Sequence, residues 1–234
     1  MNSKQSFLSY PLTTMLGSEL LVRVLRELCF YGRLSVSLEM LCCRKGLAPN
    51  KVRSTLAKLV AQGIARQSGP TNQRVFCIND NHPLGPPLCS LFGFEAERTE
   101  EIFWYIRRSA ENATDGAYSI WLHGSVARNI DAVGSDVEIG IIAPTEDLAE
   151  LLEIAEETLE NAAEKFVFPF KLQGFDPADV ANLATNNDPQ WQRCTEGAIP
   201  LAGDHPHEIA RKLAAGEVLK PLAAVAQDKP GWVT

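Results

Sequence analysis

The chain has 234 residues, a formal net charge of −7 and 45% apolar side chains, enough for one large or two small packed domains. No run approaches the roughly 18 apolar residues of a membrane span, and the opening MNSKQSFLSYP lacks a signal-peptide core. The six cysteines (Cys29, Cys42, Cys43, Cys77, Cys89, Cys194) make no C-x-x-C and no paired metal spacing, so reduced packing residues in a cytoplasmic protein are expected.

Charge is divided along the chain. Residues 1–79 hold 11 Lys/Arg and 3 Asp/Glu, a net of +8, whereas residues 80–234 hold 11 and 26, a net of −15. Two domains with different partners are expected, the first facing a polyanion.

Taken in order, Ser18 can cap a helix over Glu19 to Phe30, with Leu20, Leu21, Val24, Leu25 and Leu28 on one face and Gly32 as its stop. Ser35 or Ser37 can cap a second helix, Leu38 to Arg44, closed by Gly46. Leu47 to Asn50 reads as a turn. A third helix then runs to about Gln62, with Val52, Leu56, Leu59 and Val60 inward. Ile64 to Gln67 and Arg74 to Ile78, joined by Ser-Gly-Pro-Thr-Asn, carry a hairpin signal.

Three helices followed by a hairpin is the pattern of a winged helix-turn-helix. The phrase LAPNKVRSTLAKLVAQG, Leu47 to Gly63, resembles the winged-helix regulators of bacteria. That resemblance implies double-stranded DNA as partner, read in the major groove by the N-terminal part of the third helix. Asn50, Lys51, Arg53, Ser54 and Lys58 are its candidate contacts, and Arg66 and Arg74 on the wing are candidates for backbone phosphate. The plainer alternative is a winged helix used only for dimerisation or protein contacts.

Asp80 to Pro87 should break regular structure. Leu88 to about Ala113 should form a long connecting helix, with Leu91, Phe92, Phe94, Ile102, Phe103, Tyr105 and Ile106 as core, interdomain or homodimer contacts. The expected partition is 1–80 as a DNA-binding domain, 81–116 as linker and connecting helix, 117–204 as a second domain and 205–234 as a C-terminal helix and tail.

The second domain turns on WLHGSVARNIDAVGSDVEIGIIA, Trp121 to Ala143. It reads strand, glycine turn, short helix, loop, strand. Gly124 allows a sharp turn, and the helix opening at Ser125 presents unsatisfied N–H groups that suit an anion. In Ser135-Asp136-Val137-Glu138-Ile139, apolar and acidic residues alternate, so on a strand the two carboxylates would share a face. Such a pair suits Mg²⁺ brought with a nucleotide.

Downstream, a helix is expected over Asp147 to Lys165, then a strand from Phe166 to Gln173. Asp176 should cap a helix to Ala184. A short helix follows Asn187-Asp188-Pro189-Gln190-Trp191, then an extended Ile199 to Gly203. The last helix is expected from Pro206 to Ala214, with more helix to Gln227 and a loose tail from Asp228.

Gly124-Ser125-Val126-Ala127-Arg128 followed by Asp136-Val137-Glu138 resembles the signature of the polymerase β-like nucleotidyltransferase superfamily in its minimal bacterial branch. The order of winged helix, His82-Pro83-Leu84, long helix, Gly-Ser signature, Asn187 to Trp191 and Ile199 to Gly203 is similar to that of bacterial proteins joining these two domains. The resemblance implies an α+β fold with a mixed sheet and flanking helices. It assigns Asp136 and Glu138 to catalysis and Mg²⁺, and Gly124, Ser125, Arg128 and Ser135 to nucleotide binding.

Active members usually add a third carboxylate on a neighbouring strand, and Phe166 to Gln173 has none; Lys171 and Gln173 stand in that region. His123 precedes Gly124 as a packed residue or a phosphate neighbour, and Asn129 can take the left-handed geometry of the turn. Arg128 could hold a triphosphate or pair with Asp131. His205 and His207 do not share a helical face, so no metal site is expected there.

Two functions follow. One is a DNA-binding transcription regulator whose second domain binds a nucleotide or a partner, with weak or absent catalysis. The other is an active Mg²⁺-dependent enzyme moving NMP from an NTP to a protein, RNA or small-molecule hydroxyl. The antitoxin and antibiotic-modifying branches suggest a toxin-type protein or an aminoglycoside as acceptor. A third reading is a pure interaction module dimerising through Leu88 to Ala113.

Overall fold

The computed structural model describes residues 15–45, 47–71 and 73–223. The expected stop at Gly46 and the tail from Asp228 lie outside them. The chain is mixed α+β with two sheets, and it divides into two units, residues 1–98 and 99–234.

The first unit opens with α1 (Glu19–Tyr31). The Ser18 hydroxyl accepts from the Leu21 N–H at 3.3 Å, and Gly32, at φ +56°, ends the helix. Leu21, Val24, Leu25 and Leu28 are its buried stripe. A two-residue strand β1 (Val36–Ser37) precedes α2 (Leu38–Lys45). Ser37 serves both, since its hydroxyl accepts from the Met40 N–H at 3.2 Å. Helix α3 (Pro49–Ala61) begins at Pro49 rather than after a turn, because proline lacks only an N–H that the first turn leaves unpaired. Strands β2 (Ala65–Ser68) and β3 (Val75–Ile78) form the hairpin, and β1 pairs with β3 to make an antiparallel sheet in the order β1-β3-β2. Val52, Leu56 and Leu59 of α3 join the α1 stripe, Ile64, Phe76 and Ile78 in one core.

Helix α4 (Gly85–Asn112) starts earlier than expected. Pro86 and Pro87 occupy its first turn, where missing N–H groups cost nothing. The division between the units falls within α4, between residues 98 and 99. Leu88 and Phe92 belong to the first core and Ile106 and Ala110 to the second, whereas Leu91, Phe94 and Trp104 are exposed.

The second unit is a four-stranded sheet, β4 (Ser119–His123), β5 (Val137–Ile142), β6 (Phe170–Phe175) and β7 (Ile199–Gly203), in the order β6-β5-β4-β7. The β4–β5 and β4–β7 pairs are antiparallel; β5–β6 is parallel, which requires a crossover. That crossover is α6 (Leu148–Phe166), following the short α5 (Gly124–Ala127). Helix α6 runs into the region expected to be strand, because its apolar stripe continues through Leu159 and Ala162 and ends only at Val167, which adopts a left-handed conformation.

Alternation along the strands separates two cores. Ile120, Leu122, Val137, Ile139 and Ile141 meet α6 and the end of α4. Trp121, Ile142 and Phe175 face Val180, Trp191, Cys194 and Ile209, from α7 (Pro177–Thr185), α8 (Pro189–Thr195) and α9 (Pro206–Ala214). Asp176 and Asp179 close a reciprocal capping box on α7. Helix α9 ends at Ala214, with Gly216 at φ +72°, and residues 217–223 are not helical as expected. Among the described residues no helix is long and apolar enough to cross a membrane.

Trp121 is fully buried and donates from Nε1 to the Cys194 carbonyl at 2.7 Å. Its ring lies against Gly140, where a Cβ would stand 2.2 Å from the indole. Gly140→Ala therefore overpacks a core that cannot yield. A loss of about 3 kcal/mol is expected in urea unfolding; a loss below about 1 kcal/mol would mean that the indole is not held there.

Candidate functional site

The register of the second sheet sets three polar residues in one row. His123 pairs with Glu138 across β4–β5, and Glu138 pairs with Lys171 across β5–β6. Directly paired residues share a face, here the face that carries Trp121 and Phe175 farther along. One side of the sheet thus changes from an aromatic core at one end to charged residues at the other.

Those residues line a cleft of about 390 Å³. The sheet contributes His123, Glu138, Lys171 and Gln173; the start and end of α5 contribute Gly124 and Arg128. Helix α8 and its exit supply Gln190, Arg193, Cys194 and Glu196. Arg128, Lys171 and Arg193 thus face Glu138 and Glu196, a surplus of one positive charge with His123 neutral.

Gly124 is required twice over. It adopts φ +75°, and a Cβ there would lie 1.7 Å from Glu138 Oε2. The carboxylate therefore rests directly on the turn into α5. The long side chain of Arg128 crosses Gly197, where a Cβ would come within 3.0 Å of it, and reaches the Glu196 carbonyl at 3.5 Å. Asn129, at φ 54°, takes the left-handed turn position.

His123 is buried, and its Nε2 has no hydrogen-bond partner among the described residues. Burial, then the nearby cations Lys171 and Arg128, pushes its pKa down to about 4, so the ring is neutral at pH 7. Cys194 is also buried. Its thiol donates to Gln173 Oε1 at 2.8 Å, and burial first, then the Glu138 charge, pushes its pKa up. It is a poor thiolate and a fixed hydrogen-bonding group.

Of the residues assigned from the sequence to catalysis, metal or nucleotide, Gly124, Arg128 and Glu138 meet in the cleft, together with His123, Lys171 and Gln173, which the sequence also singled out. Ser125, Ser135 and Asp136 lie outside its lining. Asp136 is exposed, one residue before β5 and therefore not on the strand. Ser135 Oγ accepts from the Ala132 N–H at 3.0 Å, closing the preceding loop. Arg193, Gln190 and Glu196 were not foreseen. Their only sequence signal was the Asn187 to Trp191 segment, which starts α8 and aims one side of it at the cleft.

Mg²⁺ is a poor fit to this donor set. Cations outnumber the two cleft carboxylates, and Lys171 is the strand neighbour of Glu138. Among the described residues no group of three or more His, Cys, Asp or Glu is arranged to hold a metal ion. His205 and His207 serve the helix start, His205 Nδ1 accepting from the His207 N–H at 3.2 Å.

In the first unit, Asn50, Lys51, Arg53, Ser54 and Lys58 are all exposed on α3, opposite buried Val52, Thr55, Leu56 and Leu59. Arg53 donates to Asn50 Oδ1 at 3.1 Å. Arg53 and Arg74 line one groove of about 640 Å³ between α2, α3 and the hairpin, with Glu39 as its acidic member. Arg66 is exposed and pairs with Cys77 in the hairpin, but it does not line this groove.

Comparison with models of known protein families, with curated proteins and with solved structures finds no match to this chain.

Gly124→Ala should cost about 1–2 kcal/mol for the left-handed backbone and also displace Glu138. Adding Glu138→Ala removes the clash but not the backbone cost, so the two changes should couple by about 1 kcal/mol in urea unfolding. Strict additivity would mean that the carboxylate does not rest on the turn.

Proposed function

We propose that the chain is a cytoplasmic DNA-binding regulator of transcription. Residues 18–79 would be a winged helix-turn-helix, with α2 and α3 as the motif and β2–β3 as the wing. The second unit would be a nucleotidyltransferase-type domain that binds a nucleotide or a partner protein, with weak or absent catalysis.

The observation that carries this reading is the groove shared by Arg53 and Arg74. In helix-turn-helix docking the recognition helix enters the major groove. A phosphate strand running between α3 and the wing would meet Arg53 on one side and Arg74 on the other. Asn50, Lys51 and Ser54 are exposed at the leading end of α3, where base edges would lie, and Lys58 is a turn farther along. Arg66, outside the groove lining, would reach only flanking phosphate. The net of +8 over residues 1–79 supports a polyanionic partner.

A second reading is favoured by one observation, the fit of the Glu138 carboxylate to Gly124. It is an Mg²⁺-dependent transferase in which Asp136 and Glu138 hold the metal of an NTP. The exposed position of Asp136 and the pairing of Glu138 with Lys171 weigh against it, and it depends on an Mg²⁺ affinity that Glu138 controls.

Arg53→Ala and Arg74→Ala should each weaken DNA binding across sequences and lower the slope of log K against log salt by about 1 in gel shifts. Arg66→Ala should change affinity less. Binding that is insensitive to salt, or unaltered by both groove substitutions, would rule out this interface.

A further inference from the structure

We propose that the cleft of the second unit is a metal-independent receptor for a phosphate monoester on a carrier of roughly nucleotide size, held by Lys171, Arg193 and Arg128 over a floor made by His123 and Gln173. This rests on the reading of that unit as a binding domain rather than a transferase, and it names the ligand class.

Charge is the first ground. A cleft built around metal-held phosphates needs carboxylates to hold the cation. Here the strand neighbour of Glu138 is a lysine, and two arginines complete the rim. The cations that would otherwise be brought by metal are part of the chain. Arginine offers paired N–H groups to phosphate oxygens, and lysine a point charge.

The floor is the second ground. His123 is 2% exposed and lines the cleft, and its Nε2 has no partner among the described residues. Buried polar atoms in folded chains are almost always satisfied. A ligand oxygen accepting from Nε2–H would satisfy this one without a charged imidazole. Gln173 points the same way. Its Oε1 already accepts from the Cys194 thiol, which leaves its two N–H donors, with one oxygen lone pair, to meet a ligand.

The carboxylates decide what carries the phosphate. Glu138 and Glu196 also line the cleft, and they repel a bare anion. They accept from hydroxyl or amino groups, so an ester whose carrier bears such donors fits better than inorganic phosphate. A volume of about 390 Å³ lies within the usual range for small-ligand sites.

The test is calorimetry on the full chain in EDTA, with adenosine 5′-monophosphate, ribose 5-phosphate and inorganic phosphate as separate probes. At least one ester should bind more tightly than inorganic phosphate. Its Kd should rise ten-fold or more in Lys171→Gln and in Arg193→Gln; both side chains are exposed, so the fold should persist, with circular dichroism as the check. Preference for adenosine 5′-monophosphate over ribose 5-phosphate would identify a nucleotide; the reverse would identify a sugar phosphate. Three results would overturn the proposal: no heat with any probe, binding only after Mg²⁺ is added, or unchanged affinity in both variants. Gel shifts on the same preparations separate the two readings. Salt-dependent DNA binding without ester binding would sink the receptor and leave the regulator, and ester binding without DNA binding would do the opposite.

Discussion

The register between β5 and β6 is the constraint on which the second unit depends. Parallel pairing sets Lys171 beside Glu138, and antiparallel pairing sets His123 on the other side. A shift of β6 by one residue would turn Lys171 and Gln173 toward α6 and bury Leu172 on the wrong face. The aromatic end of the same face prevents that shift. Phe175 stacks on Trp121 at 6.0 Å and meets Trp191 edge-on at 5.6 Å, while Trp121 is fixed by Gly140 and the Cys194 carbonyl. The core at one end of the sheet therefore sets the chemistry at the other.

That chemistry is cationic. A carboxylate at the Lys171 position would make the row acidic and favourable to divalent metal; a lysine makes it favourable to anions. The neutral His123 follows from the same arrangement, since burial and the charges of Lys171 and Arg128 all disfavour its protonation. The first unit achieves cationic character differently. Its arginines and lysines stand in water on α3 and the hairpin, where long-range attraction and salt dependence dominate. One unit spreads its cations over an exposed surface, and the other gathers them in a small cleft.

Much of this was legible in the sequence. Helix stripes such as Leu21, Val24, Leu25 and Leu28, the Gly32 stop, the Asp176 cap and the order of elements all follow from local rules, and the structure has them near the expected residues. The conformations of Gly124 and Asn129 were also readable, because few residues tolerate them. The misses have non-local causes. Strand β1 is two residues long and exists only because β3 pairs with it. The start of α4 at Gly85 was hidden by prolines that break a helix everywhere except its first turn. Alternation grouped Asp136 with Glu138, but the strand begins only at Val137. Arg193 reaches the cleft by way of α8, from a segment 55 residues beyond Glu138 in the numbering, and no local pattern announces it.

The most direct measurement is a calorimetric titration of Mg²⁺ alone into the full chain, with Glu138→Gln and Lys171→Asp variants alongside. The account predicts no saturable binding at millimolar Mg²⁺ in the wild type and none gained or lost in Glu138→Gln, with binding emerging only when the lysine is replaced by a carboxylate. Saturable Mg²⁺ binding in the wild type that Glu138→Gln abolishes would contradict it and make the metal-dependent transferase the better reading.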